Sequence, residues 1–140
     1  MVGELRAFDS LPGDFRARVS TLQGLMLKQE QVHLEPQHYF AHGTYTRVLD
    51  IPAGVILTGK IHRYSCTNML IKGRIKVVCD EGEALLVAPC VFYTGPNVKK
   101  AIVAIEDSTF VNIHPWNNTD DLDAIEAKLI VAEDTTEQEI

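Results

Sequence analysis

Residues 54 to 73 read Gly54, five residues, Lys60-x-His62, three residues, Cys66, six residues and Gly73, and this short frame gathers side chains that could do chemistry. An imidazole or a thiolate can offer a lone pair to a metal ion. A lysine at neutral pH is an ammonium with three donors and no acceptor. Lys60 beside His62 therefore points to an anion rather than a cation as the partner of this segment.

The frame needs a strand to present it. Ile51, Pro52, Ala53 and Gly54 make a turn, and Val55-Ile56-Leu57-Thr58-Gly59-Lys60-Ile61-His62 follows as a run rich in β-branched residues. With a side-chain period of two, Lys60 and His62 share one face and Ile61 takes the other. The plain alternative is a half-solvated sheet whose charged face meets water. A register error of one residue would turn both lysines of interest, Lys60 and Lys100, outward.

Short strands continue through the middle of the chain. Asn68-Met69-Leu70-Ile71-Lys72 meets Gly73-Arg74, and Ile75-Lys76-Val77-Val78-Cys79 runs to Asp80-Glu81-Gly82-Glu83, each turn carrying a hairpin signal. Residues 84–87, 91–94, 100–105 and 109–114 follow as further strands, broken at Ala88-Pro89, Gly95-Pro96-Asn97 and Glu106-Asp107. Even spacing without intervening helices predicts a mainly β, antiparallel sandwich or jelly-roll barrel.

The Gly54–Gly73 spacing resembles the first signature of the cupin superfamily, the RmlC-like jelly rolls, in which the positions of Lys60, His62 and Cys66 are usually His, His and Glu and hold a metal ion. The second signature is similar in spacing only. It lays Pro89 on a Gly, Gly95-Pro96-Asn97 on a Pro-x-Gly turn and Lys100 on a His. Asn97 is the physically easy substitute there, because Asn tolerates the left-handed conformation. The resemblance implies a single cupin-type barrel over 45–114, preceded by a helix and lead-in strand in 1–44 and followed by a helix and acidic tail in 115–140, all one domain. Tyr45-Thr46-Arg47, Thr58-Gly59-Lys60-Ile61-His62 and Asn112-Ile113-His114 further resemble small cupin-like proteins of tailed bacteriophages. That group carries no activity over to this chain, and a fold does not give a function.

A chain of 140 residues with 46% hydrophobic composition suits one domain with a real core. No apolar stretch approaches the roughly 20 residues of a membrane span, and Met1-Val2-Gly3-Glu4 lacks a secretion signal, so a cytoplasmic protein is expected, in the host cytoplasm if phage-encoded. Cys66, Cys79 and Cys90 fit reduced thiols, the latter two as packing residues. Phe15, Val19, Leu22 and Met26 recur at helical spacing after Ser10-Leu11-Pro12-Gly13-Asp14 and predict an amphipathic helix over 14–30. Asn118-Thr119-Asp120-Asp121 resembles a helix cap followed by an apolar stripe of Leu122, Ile125 and Leu129. Residues 133–139 form an acidic, unpatterned tail expected to be disordered.

The net charge of −6 is unevenly spread. Residues 60–100 carry 7 basic and 3 acidic side chains, whereas residues 101–140 carry 1 and 10. This argues against binding to a nucleic acid polymer and for a confined basic site. Arg63, Lys72, Arg74, Lys76 and Lys99 are expected on the outer face or at turns, where charges meet water. His38 and His42 are bracketed by Pro36 and Gly43 and do not read as a helical metal pair. His33 reads as a strand surface residue. His114 shares the parity of Phe110 and Asn112, and with His62 it would suit a metal site of unusual ligation.

Three functions follow from one fold. A noncatalytic pocket would capture a small anion, phosphorylated or nucleotide-like, using Arg47, Lys60, His62, Cys66, Lys100 and His114, with no metal ligands assigned and no cofactor. The resemblance also allows a metal-independent enzyme similar to sugar-nucleotide epimerases and isomerases. There His62 would be the base, Tyr45, Tyr64 or Tyr93 the acid, and Lys60 the oxyanion stabiliser. The third is a phage structural or assembly component. A homodimer or higher homo-oligomer is expected in any of these, with no membrane partner.

Overall fold

The computed structural model describes residues 13–28, 31–79, 82–116 and 121–131, and within them the chain forms two antiparallel sheets and two helices. The strands are β1 (Gln37–Ala41), β2 (Thr44–Ile51), β3 (Ile56–Thr58), β4 (Cys66–Lys72), β5 (Arg74–Cys79), β6 (Gly82–Val87), β7 (Cys90–Thr94), β8 (Lys100–Ala104) and β9 (Ser108–Pro115). One sheet runs β1-β2-β9-β4-β7 and the other β3-β8-β5-β6. The alternation of the sequence closes them face to face. Leu49, Ile51, Leu70, Ile75, Ile102 and Phe110 alternate inward from both sheets into one buried cluster.

The predicted strands are all present, with one shortened. The run from Val55 to His62 is a strand only as far as Thr58. Gly59 N–H still donates to the Lys100 carbonyl at 3.0 Å, after which the chain leaves the sheet. Lys60 and His62 are therefore loop residues, and strand alternation does not fix where they point. The hairpin expected at Gly73-Arg74 is also absent. β4 and β5 lie in different sheets, so Gly73 is a corner at which the chain changes sheets. The hairpin between β5 and β6 is real, with Cys79 opposite Gly82. Asn97 adopts φ +62°, as its turn position predicts.

Helix α1 (Phe15–Leu27) begins at Asp14, whose carboxylate accepts from Ala17 N–H at 2.8 Å. Its buried Val19 and Leu22 pack, with Phe15 and Met26, against Val78 and Ala101 on the outer face of the four-stranded sheet. The expectation for Lys99 is corrected here. It shares the outward parity of Ala101 but is only 1% exposed. Arg63, Lys72 and Arg74 are exposed as expected, and half-buried Lys76 pairs with Glu83 at 3.2 Å. His33 is exposed but outside any strand, beside Glu35 at 2.9 Å.

Helix α2 (Leu122–Leu129) is capped by Asp121. Its Ile125 and Leu129 pack with Tyr45 and Trp116 across the open end of the barrel, whereas Leu122 is exposed. The segment after it is stitched to the loop that follows β3. Arg63 N–H donates to the Leu129 carbonyl at 2.7 Å, Val131 N–H donates to the Ile61 carbonyl at 2.8 Å, and His62 forms an antiparallel bridge with Ile130. Residues 118–120 and the acidic tail lie outside the described residues. No helix among those described is long and apolar enough to cross a membrane.

Candidate functional site

The barrel opens into a cavity of about 310 Å³ between β1, β2 and β9 on one side and α2 on the other. Strand pairing sets its wall. His38 lies opposite Arg47, Arg47 opposite Asn112, and Tyr45 opposite His114, and all five residues line the cavity. Lys60 and His62 enter from the loop held by α2, so a tertiary contact replaces the strand expected to aim them.

Aromatic rings organise this wall. Tyr45 stacks on His114 with centroids 5.9 Å apart, and its hydroxyl meets His38 Nδ1 at 2.7 Å. His62 stands edge-on to His114 at 5.0 Å. Burial, followed by the charges of His114, Lys100 and Arg47, pushes the His62 imidazole down to about 3. Burial, then Arg47 and Lys100, takes His114 to about 4. Both rings are neutral at pH 7, each with one donor and one lone pair.

Arg47, Lys60, His62 and His114 thus line one cavity. The other candidates stand elsewhere. Cys66 is buried behind His114, its Sγ 3.9 Å from Nε2, and burial raises its pKa. Lys100 faces the barrel interior but does not line this cavity. Its ammonium donates to Thr94 Oγ1 at 3.1 Å and lies 5.5 Å from the Phe110 ring. Tyr64 is exposed and away from the cavity, and Tyr93 points outward, 73% exposed. Of the three tyrosines only Tyr45 belongs to the site.

Sequence reasoning missed the polar ladder beneath the cavity. Asn112 Nδ2 donates to Asn68 Oδ1 at 2.6 Å, and Asn68 Nδ2 donates to Thr94 Oγ1 at 2.7 Å. Asn112 already shared the parity of His114, and alternation from Cys66, carried two residues further, would have found Asn68. Glu126, the ion-pair partner of Lys60, had no such signal because it arrives on α2 from 66 residues away. That pair sits at the rim, with Glu126 half-exposed. Glu126→Gln should cost under about 1 kcal/mol in a denaturant titration, as exposed pairs do; a loss above 2 kcal/mol would mark it as a fold determinant.

The metal that the cupin frame implies can be tested against these donors. His62, Cys66 and His114 place one ligand atom each within 4.8 Å of one another. His114 lies outside the signature and supplies the donor that Lys60 and Lys100 do not. Two neutral imidazoles and a thiol that can lose its proton fit a thiophilic ion better than a hard one.

No protein-family model matches the chain, and no curated protein matches it. Solved structures do. An RmlC-like cupin from Shewanella frigidimarina is 20% identical over 65% of this chain and 85% of its own, with a TM-score of 0.53. A cupin 2 domain-containing protein from Halorhodospira halophila is 20% identical over 75% and 88%, TM-score 0.53. KdgF from Halomonas sp. is 16% identical over 66% and 88%, again with a TM-score of 0.53. At these identities the likeness carries the fold alone. Two antiparallel sheets closed over one core, with this order of strands and these structural neighbours, give the chain a cupin-type jelly-roll fold.

Proposed function

We propose that this protein is a binding barrel whose mouth cavity takes a small anion of the phosphorylated or nucleotide-like class, and that in a phage-infected cell such binding would sequester the ligand. The supporting observation is the field of Arg47. Its guanidinium lies in the cavity wall and opposes proton uptake at His38, His62 and His114 alike, and the same positive charge would favour an anion there. A phosphate would meet a guanidinium able to bind it in bidentate fashion, neutral N–H donors from His62 and His114, and the Asn112 amide. Calorimetry with nucleoside phosphates and sugar phosphates tests this. Arg47→Ala should weaken the best ligand about 30-fold, the scale of a lost charge-assisted hydrogen bond. Equal affinity in the variant would remove Arg47 from the site.

The enzyme reading is weaker on the same geometry. A base with a pKa of about 3 is poorly matched to proton abstraction near neutral pH, and Tyr64 does not line the cavity. A second reading rests on the His62–Cys66–His114 cluster, which would hold a thiophilic divalent ion and supply Lewis-acid polarisation at the cavity floor. Homodimerisation remains part of the proposal. Val91, Tyr93, Ile71 and Tyr39 are more than half exposed and share the outward parity of the five-stranded sheet, a face suited to a second copy. Light scattering tests it, and a monomer at micromolar concentration would argue against both dimer and assembly roles.

A further inference from the structure

A second cavity, of about 280 Å³, opens between β5, β6 and β7 and shares no lining residue with the first. Its walls are apolar at Val77, Leu86, Phe92 and Val98, and Thr94 and Lys100 stand together in them. Lys100 is 7% exposed and makes no ion pair among the described residues. Its hydrogen-bond partner is the neutral Thr94 hydroxyl, which also accepts from Asn68. Glu83, the acidic residue in the lining, is engaged by Lys76, and the nearby titratable groups on β4 and β5 are the thiols of Cys66 and Cys79. An ammonium is costly in such a place, and a neutral amine is not.

We propose that Lys100 is a covalent capture site, its amine forming an imine with an aldehyde or ketone whose apolar body fills the second cavity. Burial lowers the Lys100 pKa, outweighing the thiols, and so raises the fraction of amine that carries a lone pair. The nitrogen adds to the carbonyl carbon and an amine proton passes to the carbonyl oxygen, giving a carbinolamine. Loss of that hydroxyl with the remaining amine proton, as one water, leaves the C=N bond, and water reverses the reaction. The site shares no lining residue with the anion cavity, although the Lys100 charge reaches His62 and His114 there.

The test uses the full chain with hexanal and sodium cyanoborohydride at pH 6.5, read by intact mass and peptide fragmentation that separates Lys99 from Lys100. Hexanal should label Lys100 at least about tenfold faster than the exposed Lys28, Lys72 and Lys128. Lys100→Arg should abolish the fast adduct and leave the slow surface labelling unchanged. Labelling confined to surface lysines in the wild-type protein would overturn the proposal, whether or not the variant folds. So would a fast adduct that survives in a folded Lys100→Arg protein.

Discussion

Gly73→Ala is expected to destabilise the fold by about 4 kcal/mol, the largest single effect we anticipate. Gly73 turns the chain from one sheet to the other at φ +87°, a conformation that costs an L side chain roughly 1–2 kcal/mol by itself. The new methyl would also lie 2.4 Å from the Asp107 carbonyl oxygen and 2.3 Å from Ser108 Oγ, where β8 crosses to β9. That backbone cannot yield easily. Ile105 N–H donates to the Arg74 carbonyl at 2.9 Å, and Ser108 Oγ donates to the same carbonyl at 3.2 Å. Gly54 has a similar φ of +85° but open space around it, so Gly54→Ala should cost only about 1 kcal/mol. Urea titration of the two variants separates steric from conformational cost. Equal losses would mean that the corner at Gly73 is not closed as described.

Acid should destabilise the protein through its buried histidines. His62 and His114 titrate near 3 and 4 when folded and near 6.5 when unfolded. Between these values the unfolded chain binds more protons. Stability is therefore full above about pH 6.5 and is lost below it for both rings together, the His114 loss levelling off near pH 4 and the His62 loss near pH 3. Allowing for the partial solvent access of His62, the loss between pH 7 and pH 4.5 is on the order of 3 kcal/mol. Carboxylates also begin to titrate in the lower part of this range, so the comparison is with His62→Asn/His114→Asn, whose stability should vary much less over the same interval. Parallel curves for both proteins would show that these imidazoles are not held neutral by the fold.

Most of the scaffold was legible because local rules and tertiary structure agreed. Asp14 caps α1 where Pro12-Gly13-Asp14 announced it, and Asn97 occupies the left-handed conformation that its turn requires. Gly73 misled because a hairpin turn and a sheet-changing corner call for the same residue. What separates them is the approach of Asp107 and Ser108, more than 30 residues away. Lys99 misled because its charge alone placed it in water, whereas the folded chain leaves it 1% exposed. Within the site, Arg47 and His114 were within reach of period-two reading, as residues on paired strands. The placement of Lys60 and His62 was not, because the contact of their loop with α2 fixes it.

Native mass spectrometry of the purified full chain, beside elemental analysis, tests the anion-binding account most directly. A phosphorylated small molecule is expected to copurify with the wild-type protein and to be absent from Arg47→Ala. A ligand-free mass for both proteins, together with no calorimetric response to nucleoside or sugar phosphates, would contradict it. Stoichiometric zinc in place of such a ligand, lost on Cys66→Ser, would move the function to the His62–Cys66–His114 cluster.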